Sequence, residues 1–179
     1  FLAPELLDLQ VNGHAATRMG NRHRFGAPQG VYQCAADEAW CAISIDTDGQ
    51  WQSLCKVIGH PEWANDRSYA TYKDRHQRHD VIDNAITAWT RERDKYEAMK
   101  ILQSAGIPSG AVQNSGDLLR DEQYQYRQFH RFFDHLEMGS VPYSGHQYRI
   151  SGYDNGPRGP SPCVGEHSFE VLSEVMKLN

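Results

Sequence analysis

Two short apolar stretches, residues 30–34 and 40–45, flank the four residues Ala35-Ala36-Asp37-Glu38. Short runs rich in β-branched and aromatic residues on either side of a polar segment are typical of a β-hairpin. We therefore predict two antiparallel strands with a turn at 35–38. A hairpin has to bury one face against another layer, so the segments that follow must supply that layer.

Two amphipathic helices are predicted after this hairpin. Asp46, Thr47 and Asp48 are N-cap candidates for the first helix, and Gly59 is placed to end it. The second helix has apolar residues at steps of three, namely Tyr96, Met99, Leu102 and Ala105. Gly106 is its stop. Strands and helices in this order predict a mixed α/β fold rather than a regular series of parallel βαβ units.

The other segments carry weaker signals. Residues 1–29 are polar and glycine-rich and read as a loop, and residues 64–79 read as a solvated polar segment. Residues 131–150 alternate apolar and polar positions, which predicts two short strands joined by Gly139 and Ser140. A Gly/Pro/Ser-rich connector at 151–162 leads to a last helix at roughly 166–177.

These patterns suggest three parts of the chain. A loop or linker covers residues 1–29, a small mixed α/β domain covers residues 30–115, and a return connector with a C-terminal helix covers residues 116–179. The first residue is Phe rather than Met, so we expect this chain to be a portion of a longer protein.

Composition excludes several classes of function. The chain has 179 residues and a net charge of −5, and its Lys and Arg residues are scattered, which argues against nucleic-acid binding and against a polybasic membrane contact. No stretch approaches the roughly 20 apolar residues that a membrane-spanning helix needs. The four cysteines form no C-x-x-C pair, so we expect no zinc site and a reduced, cytoplasmic setting with most cysteines buried as small apolar groups.

The adjacent pair Glu166-His167 consists of residue types used in acid/base chemistry. Gly165 precedes the pair, and a carboxylate in the first turn of a helix is favoured by the free backbone N–H groups and the helix dipole. Neighbouring residues on a helix point about 100° apart, so they do not easily share one substrate atom. We interpret the pair as a structural helix start, with His167 in a local hydrogen bond.

Two groups of histidines are candidate sites. His76 and His79 are spaced to share a metal on a helix face, but a zinc site needs a third ligand, and the neighbouring cationic residues repel a cation. His130, Asp134 and His135 could serve acid/base chemistry. In an alternating strand His130 and Asp134 share a face and His135 does not, and nothing supplies a nucleophile beside them.

The segment from Gly20 to Gly30 concentrates Arg22, His23 and Arg24 between flexible glycines. Such a loop can approach an anionic ligand, although a plain surface loop before a strand explains the same pattern equally well. Neither a dinucleotide-binding nor a P-loop glycine motif occurs in the sequence.

Several stretches, taken in order, resemble the C-terminal part of class III CoA-transferases, the family of formyl-CoA transferase and of the carnitine and bile-acid CoA-transferases. The stretches are GNRHRFGAPQGVYQC, WCAISIDTDGQWQSLCKVIGHPEW, EAMKILQSAGIPSGAVQNSGDLLRDEQ and GEHSFEVL. No single stretch is specific for the family, but the ordered set spans nearly the whole chain.

The resemblance implies a fold and an activity. It implies a small mixed domain and a tail that returns to a large Rossmann-like domain, with two chains interlocked as a homodimer. It implies transfer of CoA from an acyl-CoA to a carboxylic acid through covalent catalysis by an aspartate, without a metal. The family's aspartate lies upstream of the residues matched here, so the resemblance places no catalytic residue in this chain and implies that the chain alone is inactive.

One functional element carries over from the resemblance. In formyl-CoA transferases a run of glycines closes over the active site, and the matching positions here are His23, Arg24, Phe25 and Gly26, which we predict to contact substrate. Only Gly26 keeps the glycine, so formyl-CoA and oxalate are poor candidates as substrates. Arg24 and Phe25 could instead contact a larger or aromatic acyl group, or its carboxylate.

The same sequence is compatible with other functions. The same fold hosts acyl-CoA racemases, and the residues that separate the two activities lie outside this chain. A non-catalytic assembly domain and a histidine-dependent metal-binding protein are further alternatives.

Overall fold

The computed structural model describes residues 2–23 and 26–178. The chain divides into two compact units, Phe1–Val112 and Gln113–Asn179. Both units combine helices with antiparallel strands, which confirms the predicted mixed α/β class. Within the described residues, no helix has the length and apolarity needed to cross a membrane.

The first unit contains a three-stranded antiparallel sheet and five α-helices. The strands are β1 (Gln29–Gln33), β2 (Trp40–Ser44) and β3 (Ser109–Ala111), and they pair in the order β1-β2-β3. The helices are α1 (Ala3–Asn12), α2 (Asp48–Val57), α3 (Tyr72–Gln77), α4 (His79–Thr90) and α5 (Lys95–Ser104). Two short 3₁₀ helices, Pro61–Ala64 and Arg67–Tyr69, connect α2 to α3.

The predicted hairpin is confirmed. Val31 lies opposite Ala42 across β1 and β2, and Cys34 N donates a hydrogen bond to Ala39 O at 2.8 Å to close the turn. The inner face of the sheet is buried, with Tyr32, Cys41 and Ile43 at 0–5% exposure. The outer face, with Val31 and Ala42, is only partly covered.

Three helices supply the layer that the sheet needs. The side chains that meet its inner face include Leu54 and Cys55 of α2, Ile82 and Ile86 of α4, and Ala98 and Leu102 of α5. Each of these six is fully buried, so one continuous core holds the first unit together. Burial of a Leu or Ile side chain contributes roughly 1.5–3 kcal/mol.

The predicted helix ends are also confirmed. Thr47 accepts a hydrogen bond from Gln50 N, and the Gln50 side chain reaches back to Thr47 N, which forms a capping box at the start of α2. Gly59 and Gly106 follow α2 and α5 with φ of +82° and +76°. This left-handed conformation costs little only for glycine, so both positions end their helices sharply.

Three of the four cysteines are buried, as predicted. Cys34, Cys41 and Cys55 lie in the core of the first unit. Burial raises the pKa of the Cys41 thiol to about 11 and that of Cys55 to about 12. Both thiols therefore stay protonated near neutral pH and act as small apolar groups.

The prediction of a loop over residues 1–29 is wrong for the first half of this range, where α1 forms. Pro4 stands in the first turn, where its missing N–H is not needed, and Gly13 ends the helix with φ of +70°. Leu2, Leu6 and Leu9 recur at helical spacing, yet no residue of α1 is buried. The glycines that suggested a loop lie after this helix rather than within it.

The prediction of a solvated polar segment at 64–79 holds for most of its residues, which are exposed, but is wrong at Tyr69, Arg75 and His79, which are buried. Arg75 is 4% exposed and His79 is 2% exposed. Arg75 Nε donates to Ala27 O at 3.1 Å, its Nη2 pairs with Asp48 at 3.0 Å, and its guanidinium lies 5.4 Å from the Trp51 ring centroid. At Arg75 the polar side chain is therefore buried and paired rather than exposed to water.

The second unit begins with two short α-helices and a two-stranded sheet, and a further helical stretch follows near its C-terminus. The elements are α6 (Ser115–Arg120), α7 (Glu122–Tyr126), β4 (His130–His135) and β5 (Gly139–Ser144). The two predicted strands are thus present, with Phe133 opposite Val141. Their connection lies at residues 136–138, since Gly139 and Ser140 already belong to β5.

The last helix differs from its prediction. Residues 164–167 form turns, and a short helical stretch continues as a π-helical segment at Glu170–Val175. Met176 N donates to Val171 O, a spacing of five residues that widens the helix. Gly165 has φ of +81° and so turns the chain before the helix instead of starting it.

The core of the first unit can be tested within α4. Ile82 is fully buried and its neighbour Val81 is 50% exposed. We expect Ile82→Ala to lower the free energy of unfolding by about 3 kcal/mol, because it leaves a cavity in the core, whereas Val81→Ala should change it by less than about 0.5 kcal/mol. All four tryptophans lie in the first unit, so urea melts followed by tryptophan fluorescence report on this unit. Equal losses for the two variants would contradict the assigned core.

Candidate functional site

Four side chains of the first unit converge in what we call the Asp83 cluster: Arg22, Tyr32, His79 and Asp83. Arg22 donates to Asp83 Oδ2 through Nε at 3.1 Å and Nη2 at 2.8 Å. The Tyr32 hydroxyl donates to Asp83 Oδ1 at 2.9 Å, and His79 Nδ1 lies 3.0 Å from Oδ2. Both carboxylate oxygens of Asp83 are therefore engaged.

Local structure explains how these residues meet. His79 and Asp83 are one turn apart on α4 and share the face that carries Ile82 and Ile86 toward the sheet. Tyr32 points from the inner face of β1 toward the same helix. Arg22 comes from the segment before β1, and its Nη2 also pairs with the exposed Asp80. The cluster thus joins this segment to the core of the first unit.

The electrostatics of the cluster favour a charged Asp83. Burial by itself would raise the pKa of Asp83, but hydrogen bonds from His79, Arg22 and Tyr32 outweigh burial and lower it below its usual range. Burial, together with the nearby Asp83 charge, raises the pKa of Tyr32 far above its usual value. Asp83 is therefore ionised and Tyr32 is protonated at neutral pH.

Nε2 of His79 is buried and has no hydrogen-bond partner among the residues that the structure describes. A histidine oriented by a carboxylate is the arrangement of a general base. A base must come within about 3 Å of the proton that it removes, and His79 is only 2% exposed. We therefore assign His79 a structural part in the cluster.

One open cleft borders the Asp83 cluster, and a second cleft shares part of the lining of the first. One, of about 240 Å³, is lined by Arg22, Tyr32 and Asp83 together with Asn21 and Gln29. The other, of about 350 Å³, lies over the outer face of the sheet. Asn21, Gln29, Gly30 and Val31 line both clefts. Their sizes are near the lower end for small-molecule sites, and their polar groups could hydrogen-bond a ligand.

The predicted substrate-contacting residues fall into two groups. His23 is exposed and Gly26 is buried, and neither lines the two clefts. A Cβ atom at Gly26 would lie 2.3 Å from Gln29 Oε1, so glycine lets the chain pass close to a residue that lines both clefts. Arg24 and Phe25 lie outside the described residues, so their predicted contacts stay predictions.

Asp83, which binds the other three side chains of the cluster, was not predicted as a site residue. It is one of several acidic residues in a polar stretch, and its spacing from His79 was the only local signal. Arg22 was counted among the cationic residues of the loop, but its two carboxylate partners lie about 60 residues away in sequence.

The second histidine group is arranged differently from a catalytic site. His135 Nδ1 accepts hydrogen bonds from Glu137 N at 3.2 Å and Met138 N at 3.3 Å, so its proton resides on Nε2. Cys163 Sγ lies 4.0 Å from this Nε2. The sequence did not show this thiol neighbour, but an Nε2 that already carries a proton cannot deprotonate it.

Glu166 and His167 lie in the turn before the last helix rather than at its start, and their contacts are local. Glu166 Oε2 accepts a hydrogen bond from Cys163 N at 2.6 Å, and His167 Nδ1 lies 3.6 Å from Glu170 Oε2. Both side chains thus serve the turn and the helix that follows. Over residues 2–23 and 26–178, no three His, Cys, Asp or Glu side chains are grouped to hold a metal ion.

The first unit is thus a mixed α/β domain with an antiparallel sheet. Arg22 ties the loop before β1 to this domain through Asp83. A family model described as CoA-transferase family III matches residues 1–168. The chain belongs to CoA-transferase family III.

Several curated proteins are similar to this chain. A probable CoA-transferase of Mycobacterium tuberculosis is 30% identical over 164 residues, which are 91% of this chain and 21% of that protein. Succinyl-CoA–D-citramalate CoA-transferase of Chloroflexus aurantiacus is 26% identical over 96% of this chain and 42% of its own length. Formyl-CoA:oxalate CoA-transferase of a Bradyrhizobium strain is 30% identical over 92% of this chain and 39% of its own length.

A solved structure shows the same fold. The crystal structure of a CAIB/BAIF family protein from Brucella suis superposes with a TM-score of 0.81 at 24% identity, over 97% of this chain and 44% of that one. The chain therefore spans 21–42% of these curated relatives and 44% of this structural relative.

The Asp83 cluster makes a pH-dependent contribution to stability that can be measured. We expect Asp83→Asn to lower the free energy of unfolding by about 2 kcal/mol at neutral pH, because it weakens charge-assisted hydrogen bonds. The pKa of Asp83 is lowered by folding, so its contribution is complete above the ordinary aspartate pKa of about 3.9. It disappears as the pH falls through the lowered value. Urea melts at a series of pH values measure both effects.

Asp80→Asn is the matched control, since Asp80 pairs with the same arginine but has an 85% exposed side chain. Its effect should be below about 1 kcal/mol. A loss for Asp83→Asn that persists unchanged below about pH 3 would contradict the ionised state assigned to Asp83.

Proposed function

We propose that this chain is the C-terminal portion of an enzyme that transfers CoA from an acyl-CoA to a carboxylic acid. The observation that carries the proposal is the match to CoA-transferase family III over residues 1–168. Relatives named as CoA-transferases match over more than nine-tenths of the chain, which supports the same reaction class.

The proposed chemistry is covalent. An aspartate carboxylate attacks the acyl-CoA thioester and forms a mixed anhydride, and the CoA thiolate leaves. The thiolate then attacks the aspartyl carbonyl, which gives an enzyme thioester and frees the first acid. The acceptor carboxylate attacks the enzyme thioester, which forms a second mixed anhydride and releases the CoA thiolate. The thiolate then attacks the acceptor's carbonyl carbon, which gives the new acyl-CoA and frees the aspartate. One difficult transfer thus becomes several easier steps.

We place the nucleophilic aspartate outside these 179 residues. Of the described carboxylates, Asp83 is the one that lines a cleft beside the predicted substrate loop. Both of its oxygens are held by Arg22, Tyr32 and His79, and a carboxylate tied in this way is a poor nucleophile. The shorter length of the chain relative to its relatives leaves room for the aspartate elsewhere.

The proposed arrangement is a small domain at residues 30–115 whose return segment, residues 116–179, packs on a larger domain within an interlocked cytoplasmic homodimer. Apolar side chains of the return segment support this arrangement, since Phe169 is 81% exposed and Val175 is 70% exposed. Clustered exposed apolar residues mark surfaces that are covered in an assembly. Their exposure should make the 179-residue chain self-associate in solution.

The reaction is tested by comparing this chain with the full-length product of its gene. We expect the full-length product to bind an acyl-CoA in calorimetry and to form a covalent adduct visible by intact mass, whereas the 179-residue chain alone does neither. Formation of the covalent adduct by the chain alone would contradict the placement of the nucleophilic aspartate outside it. Absence of binding by both proteins would overturn the proposed function.

A product analysis separates transfer from racemisation. CoA found on the acceptor acid supports the transferase. An unchanged thioester with an inverted α-carbon would instead identify an acyl-CoA racemase.

The loop is proposed to contact the acyl group through His23, Arg24, Phe25 and Gly26 and to shield the intermediates from water. We expect Arg24→Ala in the full-length enzyme to lower kcat/KM about tenfold for an acyl group that carries a carboxylate, because a charge-assisted hydrogen bond is lost. Arg18→Ala, an exposed arginine before the loop, is the control. Unchanged kcat and KM with every substrate would remove Arg24 from the proposed site.

A further inference from the structure

Three arginines of the second unit line one small cleft, which we call the arginine cleft. Arg127 follows α7, Arg131 lies on β4, and Arg149 lies in the segment after β5. The cleft has a volume of about 70 Å³. That volume is roughly twice the share of one water molecule in the liquid, so the cleft suits a small ion rather than a large organic group.

The arginine cleft carries more positive charge than its partners neutralise. Its described lining contains three guanidinium groups and no carboxylate. Asp154, beside it, pairs with Arg131 through Nη1 at 3.0 Å and also contacts Nη2. Arg127 and Arg149 form no ion pair within the described residues. Two like charges facing one cleft repel each other unless an anion lies between them.

Backbone carbonyl groups hold these two arginines in place. Arg127 Nη2 donates to Gln147 O at 3.3 Å, and Arg149 Nη2 donates to Arg127 O. A guanidinium group has five N–H donors in a rigid plane, so one such bond orients the group and leaves further donors for a ligand. This fork geometry matches the oxygens of a phosphate group.

A larger cleft adjoins the arginine cleft and shares Arg131 and Gln128 with it. Its volume is about 720 Å³, and Phe132, Phe133 and Pro157 are part of its lining. Phe132 is 62% exposed, so an aromatic surface is available next to the cationic one. The two clefts together offer a place for an anionic group and a place for an apolar or aromatic group.

We propose that the arginine cleft binds the phosphate group of a phosphate monoester whose organic part lies in the adjoining cleft. The two guanidinium groups without an ion pair match the charge of −1.5 to −2 that such a phosphate carries at neutral pH. This site is separate from the loop and the Asp83 cluster, and it does not depend on the proposed transfer reaction.

The site is tested with the 179-residue chain in a phosphate-free buffer, followed by two-dimensional ¹H–¹⁵N NMR. Inorganic phosphate and phenyl phosphate are the probes. We expect saturable shifts confined to residues 127–131 and 145–158, with tighter binding of phenyl phosphate because its ring contacts the adjoining cleft. Shifts that do not saturate, or that spread over both units, would overturn the proposal.

Variants identify the groups responsible. Arg149→Gln and Arg127→Gln should each weaken phosphate binding about tenfold, and Arg149→Lys should restore part of the loss. Arg120→Gln is the control, because Arg120 belongs to the same unit, has a 76% exposed side chain and pairs with Asp117. Dispersed spectra of each variant confirm that it is folded. Equal affinities for wild type, Arg149→Gln and Arg127→Gln would overturn the site.

The same titration with CoA and with dephospho-CoA, which lacks the 3′-phosphate, identifies the source of the monoester. Shifts that CoA causes and dephospho-CoA does not would assign the arginine cleft to the 3′-phosphate of CoA. Shifts caused by phenyl phosphate and by neither CoA compound would assign it to a different phosphate monoester.

Discussion

Burial of the inner face of the three-stranded sheet is the constraint on which the first unit depends. Tyr32, Cys41 and Ile43 lose their contact with water only because α2, α4 and α5 pack over them. An antiparallel sheet of three strands has one face to bury and one that can stay open. The helices cover only the inner face of the sheet. The outer face, with Val31 and Ala42, therefore lines a cleft.

The same packing brings a charge to the border of the core. α4 uses one face for Ile82 and Ile86 and, on neighbouring turns of that face, carries His79 and Asp83. A partly buried carboxylate is costly unless its oxygens are paired, and here Arg22, Tyr32 and His79 pair them. The loop that precedes β1 is thereby tied to the core, which links the stability of the fold to the proposed substrate loop.

Local signals predicted the elements of the first unit well. Thr47 and Gly59 mark the ends of α2, and the apolar spacing of Tyr96, Met99 and Leu102 predicts α5, because caps and helical periodicity act within a few residues. The errors came where local composition and environment disagree. Glycines that lie after helix α1 hide it in the sequence. Arg75 reads as solvated because its partners Ala27 and Asp48 are distant in sequence. His79 reads as solvated because its burial depends on packing between elements.

Local sequence signals predict the mixed α/β class, the hairpin and the main helix ends, and four ordered stretches carry the resemblance to class III CoA-transferases. Packing between elements, which local sequence signals do not show, brings Arg22 and Tyr32 to Asp83 and places Arg127, Arg131 and Arg149 around one cleft. The reason is physical: caps and periodicity depend on neighbouring residues, whereas a charge finds its partners through packing between elements up to about 60 residues apart.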